Sequence, residues 1–184
     1  MEGQDGAKYK SFETEEEATK AFNGGYEHYL KAASSAKAAA GLTPKAPVGK
    51  PVWESLCVDA ACSGNPGDME YRGVYPPTMQ EVFRIGPLKK GTNNIGEFLA
   101  LVHGLALLKQ MGSNLPIYSD SRNAIGWVKK KKCKTLLERV PENEPIFDLI
   151  QRAEKWLNTN TYTTTILKWE TSEWGEIPAD FGRK

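Results

Sequence analysis

The stretch GTNNIGEFLALVHGLALLKQMGSNLPIYSD, residues 91–120, decides the architecture. Phe98, Leu101, Val102, Leu105 and Leu108 recur at helical spacing and form one apolar stripe. Helical character starts after Asn93-Asn94, either of which can cap the first turn. Pro116 to Asp120 is a short apolar run that ends in an acid, which fits a buried strand. On the N-terminal side, Val52 to Ala61 is largely apolar and carries Asp59 near its end, as a strand would. Ser63-Gly64-Asn65-Pro66-Gly67 is a dense turn signal. Strand-like stretches around Glu70–Tyr75 and Gln80–Ile85 complete an antiparallel meander. On the C-terminal side, residues 121–132 look helical, and Ile146, Leu149, Ile150, Ala153 and Leu157 mark another helix. Thr163 to Trp169 is β-branched and aromatic, hence a last strand. The order βββ-α-β-α-α-β predicts an α/β domain with a mixed central sheet.

Asp59 and Asp120 each fall toward the C-terminal end of a predicted strand, the place where ligands bind in an open α/β sheet. Glu97 falls in the first turn of the intervening helix, which a right-handed crossover brings near the sheet. Asp180, after the last strand, is placed to complete the group. Carboxylates this close repel one another, and some take up protons when no cation is present. Oxygen donors in a cluster suit hard cations such as Mg²⁺ or Mn²⁺. Two such ions about 4 Å apart activate a water and stabilise the leaving oxygen of a phosphodiester. Taken singly, each acid is more often a turn former or a helix cap. It is the constellation that argues for chemistry.

The bulk numbers leave this reading room and close off others. A formal net charge of +1 gives no global field, so nucleic-acid binding must come from local patches. Cys57, Cys62 and Cys133 form no close pair, which argues against a disulfide framework, and no Cys/His cluster suggests zinc. With no apolar run of about 18 residues and no apolar leader in MEGQDGAKYK, a cytoplasmic protein without a membrane span is expected. The sequence divides into residues 1–24, an Ala/Pro/Gly/Lys-rich linker over 25–50, and the main domain over 51–184.

Four segments together resemble type 1 ribonuclease H: VDAACSGNPG (58–67), GTNNIGEFLALVHGL (91–105), IYSDSRNAIGWVKKKK (117–132) and LKWETSEWGEIPADFGRK (167–184). They stand in the family's chain order, and the last looks most like the Bacillus-type branch. The resemblance implies a ribonuclease H-like fold, a five-stranded mixed β-sheet flanked by α-helices. It implies an endonuclease that hydrolyses the RNA strand of RNA/DNA hybrids with two Mg²⁺ ions, Mn²⁺ being able to substitute. It also implies 5′-phosphate and 3′-hydroxyl ends; separately, a monomer is expected. Asp59, Glu97, Asp120 and Asp180 match the family's metal-binding acids, and Glu176 matches an auxiliary carboxylate of the Bacillus-type branch. No histidine stands in the last segment, where enterobacterial relatives carry one, because His28 and His103 are the only two in the chain. Glu170 and Glu173 are weaker stand-ins than Glu176.

For the RNA strand, the candidates are Ser63, Gly64, Asn65, Asn93, Asn94 and Arg122. A protein tells RNA from DNA through the 2′-hydroxyl, and a glycine turn lets the main chain come close to it. Arg122 stands where relatives often have Gln, and a guanidinium donates without accepting. For the DNA strand, Thr92, Thr135, Lys168 and Thr171 resemble phosphate-contacting positions, with Leu136 where relatives often carry a second hydroxyl. The lysine run 129–132 with Lys134 is either a solvated helix end or a backbone contact, and the second is favoured beside a phosphate-handling site. His103 and Trp127, Trp156, Trp169 and Trp174 read as packing residues. AKYKSFETEEEATKAF (7–22) resembles the second half of a small hybrid-binding domain, a remnant expected not to bind as the full module does. Two other readings compete: a non-catalytic hybrid-binding protein of the same fold, and a related nuclease acting on DNA. Retention of all four acids opposes the first; the GNPG loop and the TNN-x-x-E segment oppose the second.

Overall fold

The computed structural model describes residues 49–182. The remnant over residues 1–24 and nearly all of the linker over 25–50 lie outside them. Five strands form one sheet: β1 (Leu56–Cys62), β2 (Gly67–Tyr75), β3 (Gln80–Gly91), β4 (Ile117–Ser119) and β5 (Ile166–Lys168). Their order across the sheet is β3-β2-β1-β4-β5. β1 pairs antiparallel with β2 and parallel with β4, and β4 pairs parallel with β5, so the sheet is mixed as expected. The main helices are α1 (Asn93–Gln110), α2 (Arg122–Lys129) and α3 (Glu144–Thr159), followed by the one-turn α4 (Thr171–Trp174).

β1 sits at the centre and is buried along most of its length. Side chains alternate across a strand. Leu56, Val58 and Ala60 join the larger core under the helices, with Ile117 of β4 and Phe98, Leu101 and Leu105 of α1. Cys57 joins a second core with Val74, Tyr118, Trp169, Ile177 and Ala179. Asp59 and Asp120 share the parity of Cys57 and Tyr118, so both belong to the face that the C-terminal segment covers. α1 comes close to β1 because its contact face is small: Gly96, Ala100 and Gly104 follow one another at one-turn spacing. A Cβ built on Gly96 would lie 2.7 Å from the Ala60 Cβ, nearer than side chains pack.

Four boundaries differ from the sequence reading. β3 runs on to Gly91 through Gly86-Pro87. β3 is an edge strand, and its pairing with β2 shifts register between Ile85 and Leu88, so Pro87 falls at an irregularity outside the paired residues. α1 is capped by Thr92, whose hydroxyl accepts from the Ile95 N–H at 3.5 Å, and not by either asparagine. Glu97 accordingly falls just past the first turn. α2 stops at Lys129 because Lys131 turns into a left-handed conformation at φ 55°, leaving part of the lysine run off the helix. β5 is only Ile166–Lys168. Of the tryptophans read as core, Trp169 is buried and Trp127, Trp156 and Trp174 are half-buried. His103 packs as expected, stacked on Phe83 with ring centroids 4.0 Å apart. Among the described residues no helix is long and apolar enough to cross a membrane.

Candidate active site

Carboxylate oxygens of Asp59, Glu97 and Asp120 all lie within 4.8 Å of one another. Each comes from a different element: Asp59 from β1, Glu97 from α1, Asp120 from the residue after β4. The parallel pairing of Leu56 with Ile117 and Cys57 with Tyr118 sets the two aspartates at neighbouring strand ends. The three acids line a cleft of about 550 Å³ together with Ser63, Asn93, Asp180 and Phe181. The sequence therefore named four acids, and the fold delivers all four to one cleft.

Burial pushes the Asp59 carboxyl up to about 8, and the charges of Asp120, Glu97 and Asp180 add to the rise. Burial likewise lifts Glu97 to about 7, against hydrogen bonds from Ser121 and Asn93 that favour its charged form. The Asn93 bond is 2.7 Å from Nδ2 to Oε1. Asp120 is raised, chiefly by burial, while Lys168 pulls it down and Glu176 and Asp180 push it up. Oxygen-only donors that hold protons for want of counter-charge fit hard divalent cations, and Asp59, Glu97, Asp120 and Asp180 are the residues that would hold them.

This arrangement has a measurable cost in metal-free protein. Both carboxyls have folded-state pKa values above the usual carboxylate range, so the native state holds more protons than the unfolded state between about pH 4 and pH 8. Stability from this source is present at low pH and is lost as pH rises through the folded values. Asp59→Asn removes the largest part. In EDTA, the melting temperature of Asp59→Asn minus that of wild type should grow from pH 5.5 to pH 8.5, by several degrees in total. A difference that shrinks over this range would contradict the repulsion described.

The remaining candidates fall into distinct places. Ser63 lines the acid cleft and accepts from the Asp68 N–H at 3.0 Å. Asn65, Thr92, Asn94 and Thr135 instead line a neighbouring cavity of about 390 Å³ with Trp127, Lys134 and Leu136. Leu136 is fully exposed there. Gly64 sits on the exposed turn between β1 and β2. Arg122 is exposed at the start of α2, and Thr171 opens α4; neither lines either cavity. Lys168, expected at a phosphate, lies where its charge acts on Asp120 and Glu97. Glu176 is exposed, and its charge reaches Asp120. Lys132 is tied to Glu154 at 2.7 Å, while the rest of the lysine run is exposed.

Two contributors were missed in the sequence. Ser121 caps α2 by accepting from the Ala124 N–H at 3.2 Å, and it hydrogen-bonds Glu97. Its place next to Asp120 was the available signal. Arg72 binds the main chain at Asp180, a contact over a hundred residues that no local pattern announces.

The model of the RNase H family matches residues 54–171, well over half of the chain. A ribonuclease H of Rickettsia bellii is 31% identical over 137 residues, covering 68% of this chain and 83% of the relative. A ribonuclease H of Rhodopirellula baltica is 41% identical over 75 residues, covering 40% of this chain and 46% of the relative, so the match spans about half of that protein's length. A solved RNase H1 from the halophilic archaeon Halobacterium salinarum aligns at 20% identity and a TM-score of 0.40, covering 65% of this chain and 86% of that one. With the family's model matched over the sheet and α1 to α3, and the Rickettsia bellii relative aligned over most of both chains, this chain belongs to the ribonuclease H family of hydrolases.

Proposed function

We propose that this protein hydrolyses the RNA strand of RNA/DNA hybrids, leaving 5′-phosphate and 3′-hydroxyl ends, at a site that takes two divalent cations. The observation that carries the reading is the meeting of three carboxylates, from β1, α1 and the residue after β4, within 4.8 Å in an open cleft. Family membership supports the substrate class. Bound Mg²⁺ or Mn²⁺ supplies charge for the attacking and leaving oxygens of an in-line displacement. In that displacement a water loses a proton as its oxygen bonds to phosphorus, the bond from phosphorus to the 3′ oxygen breaks, and the 3′ oxygen takes up a proton.

The chain's own residues do the holding and the reading. Asp59, Glu97, Asp120 and Asp180 would hold the cations, and the raised carboxyls of Asp59 and Glu97 would give up their protons on binding. Glu176 and Lys168, one anion and one cation, set the field at Asp120 from opposite signs. Ser63, Gly64, Asn65, Asn93, Asn94 and Arg122 are assigned to the 2′-hydroxyls of the RNA strand, and Thr92, Thr135, Lys168 and Thr171 to phosphates of the DNA strand. The cavity at Thr92 and Thr135 supports the second assignment, because paired hydroxyls and Lys134 offer donors to one phosphate.

The test is a gel assay with end-labelled RNA in an RNA/DNA hybrid, in Mg²⁺ and in EDTA, with duplex DNA alongside. Cleavage of hybrid RNA in Mg²⁺, none in EDTA and none of duplex DNA is expected. Binding without cleavage at any enzyme level would make the protein a non-catalytic hybrid binder. Faster cutting of duplex DNA would make it a DNA nuclease of the same fold.

A further inference from the structure

Asp59 and Glu97 sit within β1 and α1, and Asp120 directly follows β4, but Asp180 adjoins no strand. Asp180 stands in a segment with neither helix nor strand after α4. Its backbone N–H donates to the Ile177 carbonyl at 2.8 Å, a local turn that does not tie it to the sheet. We infer that Arg72 is the positioning residue that fixes Asp180 at the acid cluster. Arg72 lies directly across the β1–β2 ladder from Asp59, on the sheet face that the C-terminal segment covers. Its Nε donates to the Ala179 carbonyl at 2.9 Å, and its Nη2 to the Asp180 carbonyl at 2.6 Å. The guanidinium carbon stands 4.7 Å from the centre of the Phe181 ring. One side chain thus grips three consecutive residues, the middle one being the catalytic acid.

The grip is itself held. Arg72 Nη1 pairs with the Glu81 carboxylate at 3.1 Å, and Arg84 binds the same carboxylate at 3.0 and 2.8 Å. This fixes the fork that meets the two carbonyls. A guanidinium offers five donors in a rigid plane, which a lysine ammonium cannot reproduce. An arginine that only stabilised the chain end would be indifferent to what Asp180 does. An arginine that positions Asp180 acts only through it, and the two roles separate in a double-mutant cycle.

This inference rests on the proposed cleavage reaction for one of its readouts and on cation binding for the other. Arg72→Gln and Arg72→Lys are made in the wild-type chain, and Arg72→Gln again in an Asp180→Asn background. Arg72→Gln is expected to lower kcat about tenfold or more with hybrid KM changed no more than about threefold, and Arg72→Lys to recover only part. The Mn²⁺ concentration that gives half of the thermal stabilisation should rise in Arg72→Gln. In the Asp180→Asn background, Arg72→Gln should add nothing to either readout. Equal losses in both backgrounds, or an unchanged Mn²⁺ requirement, would overturn the assignment. Should Arg72→Gln fail to fold, Glu81→Gln frees one tether at the surface, and an unchanged Mn²⁺ requirement there overturns it too. If wild type proves unable to cleave hybrids, the proposed reaction fails, while the Mn²⁺ comparison still decides the role of Arg72.

Discussion

Asp120→Asn is expected to lower hybrid cleavage by about a thousandfold or more while the protein keeps its fold and its affinity for hybrid. Asn has the size of Asp and lacks its charge, so the half-buried position stays filled while one donor to the cations is lost. Each step of about 1.4 kcal/mol in the barrier is tenfold in rate, and a metal-held transition state draws on several kcal/mol. Stability should not suffer. The Asp120 charge helps raise Asp59, so its removal relieves repulsion in metal-free protein. Single-turnover cleavage, hybrid binding in Ca²⁺ and thermal melting together check the claim. Near-normal turnover would remove Asp120 from the chemistry, and loss of the fold would make it structural.

Gly96→Ala should slow cleavage by about tenfold to a hundredfold with only a modest loss of stability. The added methyl meets the Ala60 Cβ at 2.7 Å and the Met69 Cγ at 3.1 Å. Met69 can give way, but Ala60 is fixed to the central strand. α1 must therefore move off β1. Overpacking costs about 1–3 kcal/mol, and the better helix propensity of Ala returns about 1 kcal/mol, so the net cost to stability is small. Glu97 follows Gly96 and Asp59 precedes Ala60, so the same shift draws two of the clustered acids apart. Gly126→Ala is the control, since nothing lies within 4 Å of its added methyl. It should leave the rate unchanged and raise the melting temperature slightly. Equal rates in Gly96→Ala and wild type would show that the helix can move without disturbing the acids.

The order of elements was legible because each long element carries a clean period. Phe98, Leu101 and Leu105 announce α1, and the apolar run into Asp120 announces β4. The three clustered acids were legible for the same reason, since strand ends and a helix start converge when the topology is right. What local pattern does not carry is set by tertiary contact. Pro87 reads as a strand breaker and is tolerated because it falls at a register shift on the edge strand β3. The end of α2 depends on the left-handed turn at Lys131. Thr92 outcompetes its neighbouring asparagines as a cap because Asn93 is drawn to Glu97 and Asn94 accepts from Asn123 at 3.5 Å. Arg72 reads as an ordinary charge on a half-exposed strand; its meaning depends on a segment over a hundred residues away.

The most direct measurement is a crystal soaked in Mn²⁺ and examined by anomalous diffraction. Two peaks bridged by oxygens of Asp59, Glu97, Asp120 and Asp180 are predicted. Peaks elsewhere on the surface, with these four side chains bound only to one another or to water, would contradict the account.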